Sequence, residues 1–376
     1  MVRQTLNRID WLLVLFILPI LSAGLVTMKS FIAIQNGTDF ASKQLIWIAI
    51  CFTVFFVLSM LDFRFLKNSN VLVFIFLSVC LLLFSLFVIG SVSHGARSWF
   101  DFGFFSFQPA DIMKLVLVLM LAKYFSRRHV EIRDTKHIFI SFFYALVPIT
   151  LVLLQPDFGS AIILFAIWFG MVLVSGISKT HLFLVFGAGI AIFILLWMFV
   201  FAPYQKARIT NFLNPLADIH GTGYNAFQST IAVGSGQILG KGVGFGTQSR
   251  LKFLPEPQAD FIFAAFSEEW GMIGSVIILI LYCLVIWRIL YTASVGASNF
   301  EILFGMGIAI FFMSHILVNV GMNVGLMPVT GIPLPFMSYG GSHLLVEFMG
   351  LGILMSMRRY ARSAHRDDVK NEFLVI

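Results

Sequence analysis

The 376 residues are 59% hydrophobic and only 11% charged, with 43 Phe among them. A soluble domain carries roughly a quarter charged residues, so soluble domains are excluded and the sequence suits a bilayer. The net charge of +7 implies no nucleic-acid partner, because its distribution follows membrane topology.

A spanning helix needs about 20 mostly apolar residues. Ten stretches qualify: 10–28, 45–61, 70–90, 109–125, 138–154, 158–176, 181–201, 262–287, 301–327 and 342–358. The first is too long for the apolar region of a signal peptide. The fourth contains Asp111 and Lys114, and the fifth and sixth are parted only by Gln155-Pro156-Asp157. Backbone in lipid has to satisfy its own hydrogen bonds, so each reads as a helix. Cys51, Cys80 and Cys283 stand singly within apolar runs, which implies neither a disulfide framework nor a zinc site. The expected fold is all-α: one integral membrane domain over 1–376, about ten transmembrane helices, and one large extracytoplasmic loop at about 202–261. No internal repeat is visible.

Lysine and arginine set the expected orientation. With the N-terminus inside, sixteen of the 25 fall in inner segments, while the short outer loops hold only Lys29, Lys43 and Arg97. By the positive-inside rule both termini are cytoplasmic, including the tail at about 359–376. The long loop, Arg97, Asp157 and residues 328–341 then share the outer face. Within the loop, 222–238 mixes apolar and small polar residues and reads as a short amphipathic helix.

Charge gathers at 240–271, where Lys241, Arg250 and Lys252 stand beside Glu256, Asp260, Glu268 and Glu269. Ionisable groups near a bilayer are costly and suggest function. After Pro257, Asp260 lies near the expected start of the eighth span. In a regular helix Glu268 is about 12 Å deeper and Glu269 about 180° round, so no acid/base pair forms within it. One outer carboxylate with a deeper structural one fits better. A second cluster, 95–114, places Arg97 and Trp99 before a helix opened by Gln108-Pro109, with Asp111 and Lys114 meeting at i,i+3. Lys114 either pairs with Asp111 or binds an anion, and Arg97 suits phosphate. Asp157 either caps the sixth span or faces a cavity. The stretch 319–342, NVGMNVGLMPVTGIPLPFMSYGGS, implies irregular backbone at membrane depth. A phosphate-binding P-loop ending at Gly240-Lys241 fails, because Ser235 stands where its first glycine belongs and Gly242 where Ser or Thr is required.

RSW followed by QPADIMK, then QPDFG, GSGQILGKG…GTQ, LPEPQADFIFAAFSEEWG and PVTGIPLPFMSYGGS together resemble the SEDS family (shape, elongation, division and sporulation) of bacterial peptidoglycan glycosyltransferases. The resemblance covers nearly the whole chain, and the Gly-Thr-Gln and PVTGIPLPF wording is similar to the rod-shape member. One departure is Gln108-Pro109-Ala110-Asp111 where the family usually has Gln-Pro-Ser-Glu, an acid one methylene shorter.

The resemblance implies polymerisation of lipid II into glycan strands at the outer face of the cytoplasmic (inner) membrane during elongation, with release of undecaprenyl pyrophosphate. It makes Asp260 the catalytic carboxylate and places Arg97, Trp99, Asp111, Lys114, Asp157, Lys241, Ser338 and Tyr339 against substrate. Glu268, Pro333, Pro335 and Gly340 become supporting residues. Arg208 joins Arg97, Lys114 and Lys241 as a cation for the leaving group. A divalent cation, Mg2+ or Mn2+, is implied without assignable ligands. A class B penicillin-binding protein and other elongation-complex membrane proteins are implied as partners. The alternatives are a lipid II flippase and a non-catalytic scaffold for the penicillin-binding protein. Glu347, an acid deep in the tenth span, fits none of these readings.

Overall fold

A computed structural model describes residues 9–30, 39–93, 96–103, 105–126, 135–176 and 223–372, with isolated positions between 186 and 212. The expected seventh span at 181–201, most of 202–222 and Arg208 lie outside the described residues. So do the side chains of 91–97 and 359–372.

In chain order come α1 (Trp11–Lys29), α2 (Phe40–Met60) and α3 (Ser69–Ile89), then strands β1 (Ser91–Ser93), β2 (Ala96–Asp101) and β3 (Ser106–Phe107). Helices α4 (Pro109–Ser126), α5 (Thr135–Leu154) and α6 (Phe158–Val174) follow, then α7 (Tyr224–Ser235) and a single turn, α8 (Thr247–Arg250). The last three are α9 (Ile262–Ser294), α10 (Asn299–Asn323) and α11 (Gly341–Glu372). Nine of the ten expected spans thus coincide with long helices. Six of these, α1, α2, α3, α5, α9 and α10, are long and apolar enough to cross a membrane.

The helix caps are written in the sequence. Asp10, Asp39 and Asp157 each accept a backbone N–H of the first turn of α1, α2 and α6, which satisfies a donor the helix cannot. Burial then sorts the helices. α10 is central, with Phe304, Phe312, Asn319 and Asn323 at 1% exposure or less. α3 presents Phe74, Leu77, Leu81 and Phe84 outward, the apolar exterior that lipid requires.

Two features depart from the expectation. The α3–α4 connection is a small antiparallel sheet in the order β1-β2-β3, too short for its alternation to be read beside so many apolar residues. And α9 is interrupted at Gly271, whose φ is +67°. Before the break nearly every side chain is buried. After it Met272, Ile273, Val276, Ile277 and Ile280 face outward, so the lipid-type face begins about ten residues later than the apolar run suggests. Residues 236–246 run along this break. Lys241 and Gly242 donate backbone N–H groups to the carbonyls of Glu268 and Glu269, and Met272 and Ile273 donate to Gln237 and Ile238. Gly240 permits the approach: a Cβ there would lie 2.2 Å from the Glu269 carbonyl oxygen.

Candidate functional site

The site is built on two irregular segments, 255–261 before α9 and 324–340 between α10 and α11, stitched by two asparagines of α10 and by Ser338 of the second segment itself. Asn319 of α10 donates through Nδ2 to the Asp260 carbonyl at 2.9 Å and to the Ile332 carbonyl at 2.7 Å. Asn323, one turn on, also donates to the Asp260 carbonyl, at 3.1 Å. Its Oδ1 accepts the Ala264 N–H at 3.2 Å. Ser338 Oγ donates to the Ala259 carbonyl at 2.7 Å and accepts the Leu334 N–H at 2.7 Å. The Tyr339 N–H reaches the Gln258 carbonyl at 2.8 Å.

Asp260 therefore sits on backbone fixed at its own carbonyl and its neighbour's, in the turn just before α9 rather than in the helix. The helical angles that separate it from Glu268 and Glu269 do not apply to it. What separates them is their surroundings. Asp260 Oδ2 lies 3.3 Å from where a Cβ of Gly331 would stand, against the irregular loop. Glu268 is fully buried on the other side, where Oε1 accepts from Lys241 Nζ at 2.7 Å, Thr247 Oγ1 at 3.0 Å and the Gln248 N–H at 3.0 Å. Lys241 thus neutralises Glu268 and tethers its own loop to α9.

The 328–341 loop is held along its length. His315 meets the Pro333 carbonyl at 3.3 Å, Tyr282 donates to the Pro335 carbonyl at 2.5 Å, and Glu347 Oε2 accepts the Phe336 N–H at 3.0 Å. Gln44 of α2 donates to the Ser338 carbonyl at 3.1 Å and accepts the Gly340 N–H at 3.3 Å. Pro333 and Pro335 leave carbonyls for these donors and offer no N–H to satisfy. Tyr339 is half-buried with its ring edge-on to Phe40 at 4.9 Å, and burial pushes its phenol above the ordinary value.

A second assembly lies between α4, α6 and α11. Lys114 Nζ is 2.9 Å from Asp111 Oδ1, both side chains essentially without solvent. Ser342 Oγ reaches Asp111 Oδ2 at 3.4 Å and accepts the Gln108 N–H at 3.1 Å. Gln108 Nε2 donates to Asp157 Oδ2 at 2.8 Å, while Asp157 Oδ1 caps α6 by accepting the Ser160 N–H at 3.0 Å. Asp157 therefore both caps its helix and joins the assembly. His343 lies between Asp111 Oδ1, 3.5 Å from its Nδ1, and Glu347 Oε1, 2.7 Å from its Nε2. Trp99 is half-buried on β2, and Arg97 is placed on the same strand by its backbone.

Apart from Arg97 and Trp99 on β2, the sequence-derived residues thus fall into three groups. Asp260, Ser338, Tyr339, Pro333, Pro335 and Gly340 meet at the two irregular segments. Asp111, Lys114 and Asp157 join through Gln108 and Ser342. Lys241 and Glu268 pair with each other. The residues that sequence reasoning missed are Gln44, Gln108, Asn319, Asn323, Ser342 and His343. Their signal is polar side chains within apolar helices, with Asn319/Asn323 and His343/Glu347 both spaced i,i+4. Among the described residues no three His, Cys, Asp or Glu side chains gather in a way that could hold a metal ion.

Fold and site together define a multi-pass helical membrane protein with a fixed carboxylate at one end of its bundle. The chain belongs to the FtsW/RodA/SpoVE family, described as "Cell cycle protein", whose profile matches residues 5–363. It is 35% identical over 362 residues to stage V sporulation protein E of Bacillus subtilis, covering 94% of this chain and 98% of that protein. It is 37% identical over 289 residues to peptidoglycan glycosyltransferase MrdB of Escherichia coli K12, covering 77% and 78%. Among solved structures, a chain of a peptidoglycan synthase complex that coordinates polymerization and crosslinking superposes with a TM-score of 0.79 at 29% identity, covering 94% and 98%. The rod shape determining protein RodA of Thermus thermophilus superposes with a TM-score of 0.69 at 27% identity, covering 93% and 96%.

Proposed function

We propose that this peptidoglycan glycosyltransferase polymerises lipid II into glycan strands, with Asp260 as general base and undecaprenyl pyrophosphate as leaving group. The observation that carries the assignment is the fixing of the Asp260 backbone by Asn319, Asn323 and Ser338. A general base has to be held within hydrogen-bond reach of the proton it takes, and these bonds remove the freedom of the turn that bears it. The acceptor sugar's 4-hydroxyl loses its proton to Asp260 as its oxygen attacks the donor's anomeric carbon. The anomeric C–O bond breaks and the electron pair leaves with the pyrophosphate. Cations at Lys114 and Arg97 would stabilise that developing charge. Lys241 is engaged by Glu268 as Lys114 is by Asp111, so each lysine would act on the leaving group as one half of an ion pair.

Mg2+ or Mn2+ belongs to the proposal, since Mg2+ commonly binds through one or two carboxylates plus substrate phosphates. The substrate pyrophosphate would supply most of that donor set, and Asp260, as the base beside the attacking hydroxyl, is not counted in it. Bound there, the ion would supply charge neutralisation at the leaving group.

In the orientation we propose, both termini are cytoplasmic and the Asp260 end of the bundle is extracytoplasmic, which agrees with the lysine and arginine distribution. We further propose a class B penicillin-binding protein as partner, with other elongation-complex membrane proteins around the pair. Its support is the likeness to a chain of a complex that both polymerises and crosslinks.

Purified protein given labelled lipid II and Mg2+ or Mn2+ tests the reading. Wild type yields glycan polymer, and Asp260→Asn yields none while melting at the wild-type temperature. Polymer from that variant overturns the role of Asp260. Lipid II crossing sealed vesicles without polymer overturns polymerisation in favour of a flippase.

A further inference from the structure

Glu347 is an acid in an apolar helix with 0% exposure, and the chemistry above does not use it. Its two oxygens face different elements: Oε1 meets His343 one turn back on α11, and Oε2 accepts the N–H of Phe336 in the loop. His343 in turn faces Asp111 on α4 with its other ring nitrogen. Neither contact is an aligned hydrogen bond, since His343 Nδ1 and Nε2 and Glu347 Oε1 have no hydrogen-bond partner among the described residues. A cationic ring attracts both carboxylates by charge at these distances, which a neutral ring does not. The count of charges agrees. Asp111, Glu347 and Lys114 leave one excess negative charge, and buried charges persist only when paired. A cationic His343 closes the set at zero. His315 lies against His343 with ring centroids 4.6 Å apart and planes tilted by 33° and spends Nδ1 on the Pro333 carbonyl, so the two rings reach the same loop by different routes.

The bond from Glu347 falls on a strained residue. Phe336 has φ of +60°, a left-handed conformation that costs a non-glycine residue roughly 1–2 kcal/mol and persists where the surroundings over-determine it. Two residues on, Ser338 holds the Ala259 carbonyl, and the next residue is Asp260. The connected path is thus Asp111, His343, Glu347, Phe336, Ser338, Ala259.

We propose that His343 and Glu347 are positioning residues for glycosyl transfer, a charged strut that ties the Asp111–Lys114 pair to the loop fixing Asp260. This rests on the reading of Asp260 as general base. The strut touches no reacting atom. It sets where the base stands relative to the cation pair.

Initial rates against lipid II concentration, on the full-length protein, separate this role from a purely structural one. A misplacement of about 1 Å can cost roughly 100-fold in rate, so His343→Gln is expected to lower kcat about 10- to 100-fold with KM for lipid II within about twofold. His343→Lys, which restores a cation, is expected to recover most of that loss. The paired variant His343→Gln/Glu347→Gln leaves no uncompensated charge in the strut, so it is expected to fold even where the single variant does not. It should melt near the wild-type temperature and keep the low kcat. Wild-type kcat in the paired variant, or failure of both variants to fold, overturns the proposal in favour of a structural pair. Asp260→Asn is assayed alongside. Polymer from it defeats the base assignment whatever His343 does, whereas an inactive Asp260→Asn beside a fully active His343→Gln defeats the strut alone.

Discussion

Replacing Lys114 with Met removes one half of a buried ion pair and shows what that pair does. At 2.9 Å and with both side chains at 1–2% exposure, the gross attraction at an effective dielectric of about 20 is roughly 6 kcal/mol. Most of that repays the cost of taking two charges out of water, so the pair adds little over an apolar replacement. Breaking it is different. Asp111 would keep only His343 at 3.5 Å and Ser342 at 3.4 Å, and an uncompensated buried carboxylate costs about 3–5 kcal/mol. At roughly 2 °C per kcal/mol for a large domain, Lys114→Met should melt about 6–10 °C below wild type in detergent. Asp111→Asn/Lys114→Met removes both charges and should return most of that stability. Polymerisation by the double variant, read against Asp111→Asn alone, then isolates the second role: both lose the contact with His343, so if Lys114 also stabilises the leaving pyrophosphate the double variant stays the less active of the two although its fold has recovered. A single Lys114→Met variant that melts within about 2 °C of wild type would refute the reasoning, because the pair would then not be holding α4.

Three further outcomes follow from the same bonds. Glu268→Ala removes the buried acceptor shared by Lys241, Thr247 and the Gln248 N–H, and since these donors are themselves half-buried or exposed the cost should be about 1 kcal/mol, the worth of ordinary hydrogen bonds. Limited proteolysis should open the 236–250 loop before the bundle, and Glu268→Gln should soften the effect. Gly240→Ala and Gly244→Ala both force alanine to a positive φ, +82° and +79°, but only the first puts a methyl 2.2 Å from a backbone oxygen, so its melting temperature should fall well below that of Gly244→Ala, where nothing lies within 4 Å. Asp10→Asn removes the carboxylate that Arg288 reaches at 2.5 Å and Arg358 at 2.7 Å. A drop of about 3–5 kcal/mol by thermal melting is expected, and an unchanged melting temperature would show that these arginines are held by other groups.

Much of the fold is legible because the bilayer allows few answers. Apolar runs long enough to span must be helices, and nine of them are found where the runs lie. Asp157 shows where that legibility narrows. The residue type suggests either a cap or a polar contact, and with two oxygens it does both. Gly271 shows where it fails: an isolated glycine in an apolar run reads as a tolerated helix residue, and only the close passage of Gly240 gives its +67° φ a reason.

The site divides along the same line. Asp260 is visible in sequence because charge is rare here and gathers around it. The residues that fix it are not, because Asn319, Asn323 and Ser338 act on backbone carbonyls 59 to 79 positions away, and no local pattern encodes which carbonyl a buried amide will meet. Glu347 sharpens the point. Read along its own helix it is an unexplained acid in a span. Its meaning lies in three other residues, two of them off its own helix: the lysine of α4 that makes a second buried carboxylate tolerable, the histidine one turn back that balances the charge, and a loop phenylalanine whose backbone needs an acceptor. A buried charge in a membrane helix is decided by what stands opposite it, so the sequence can flag such a residue and only the packing can say whether it carries chemistry or holds the residue that does.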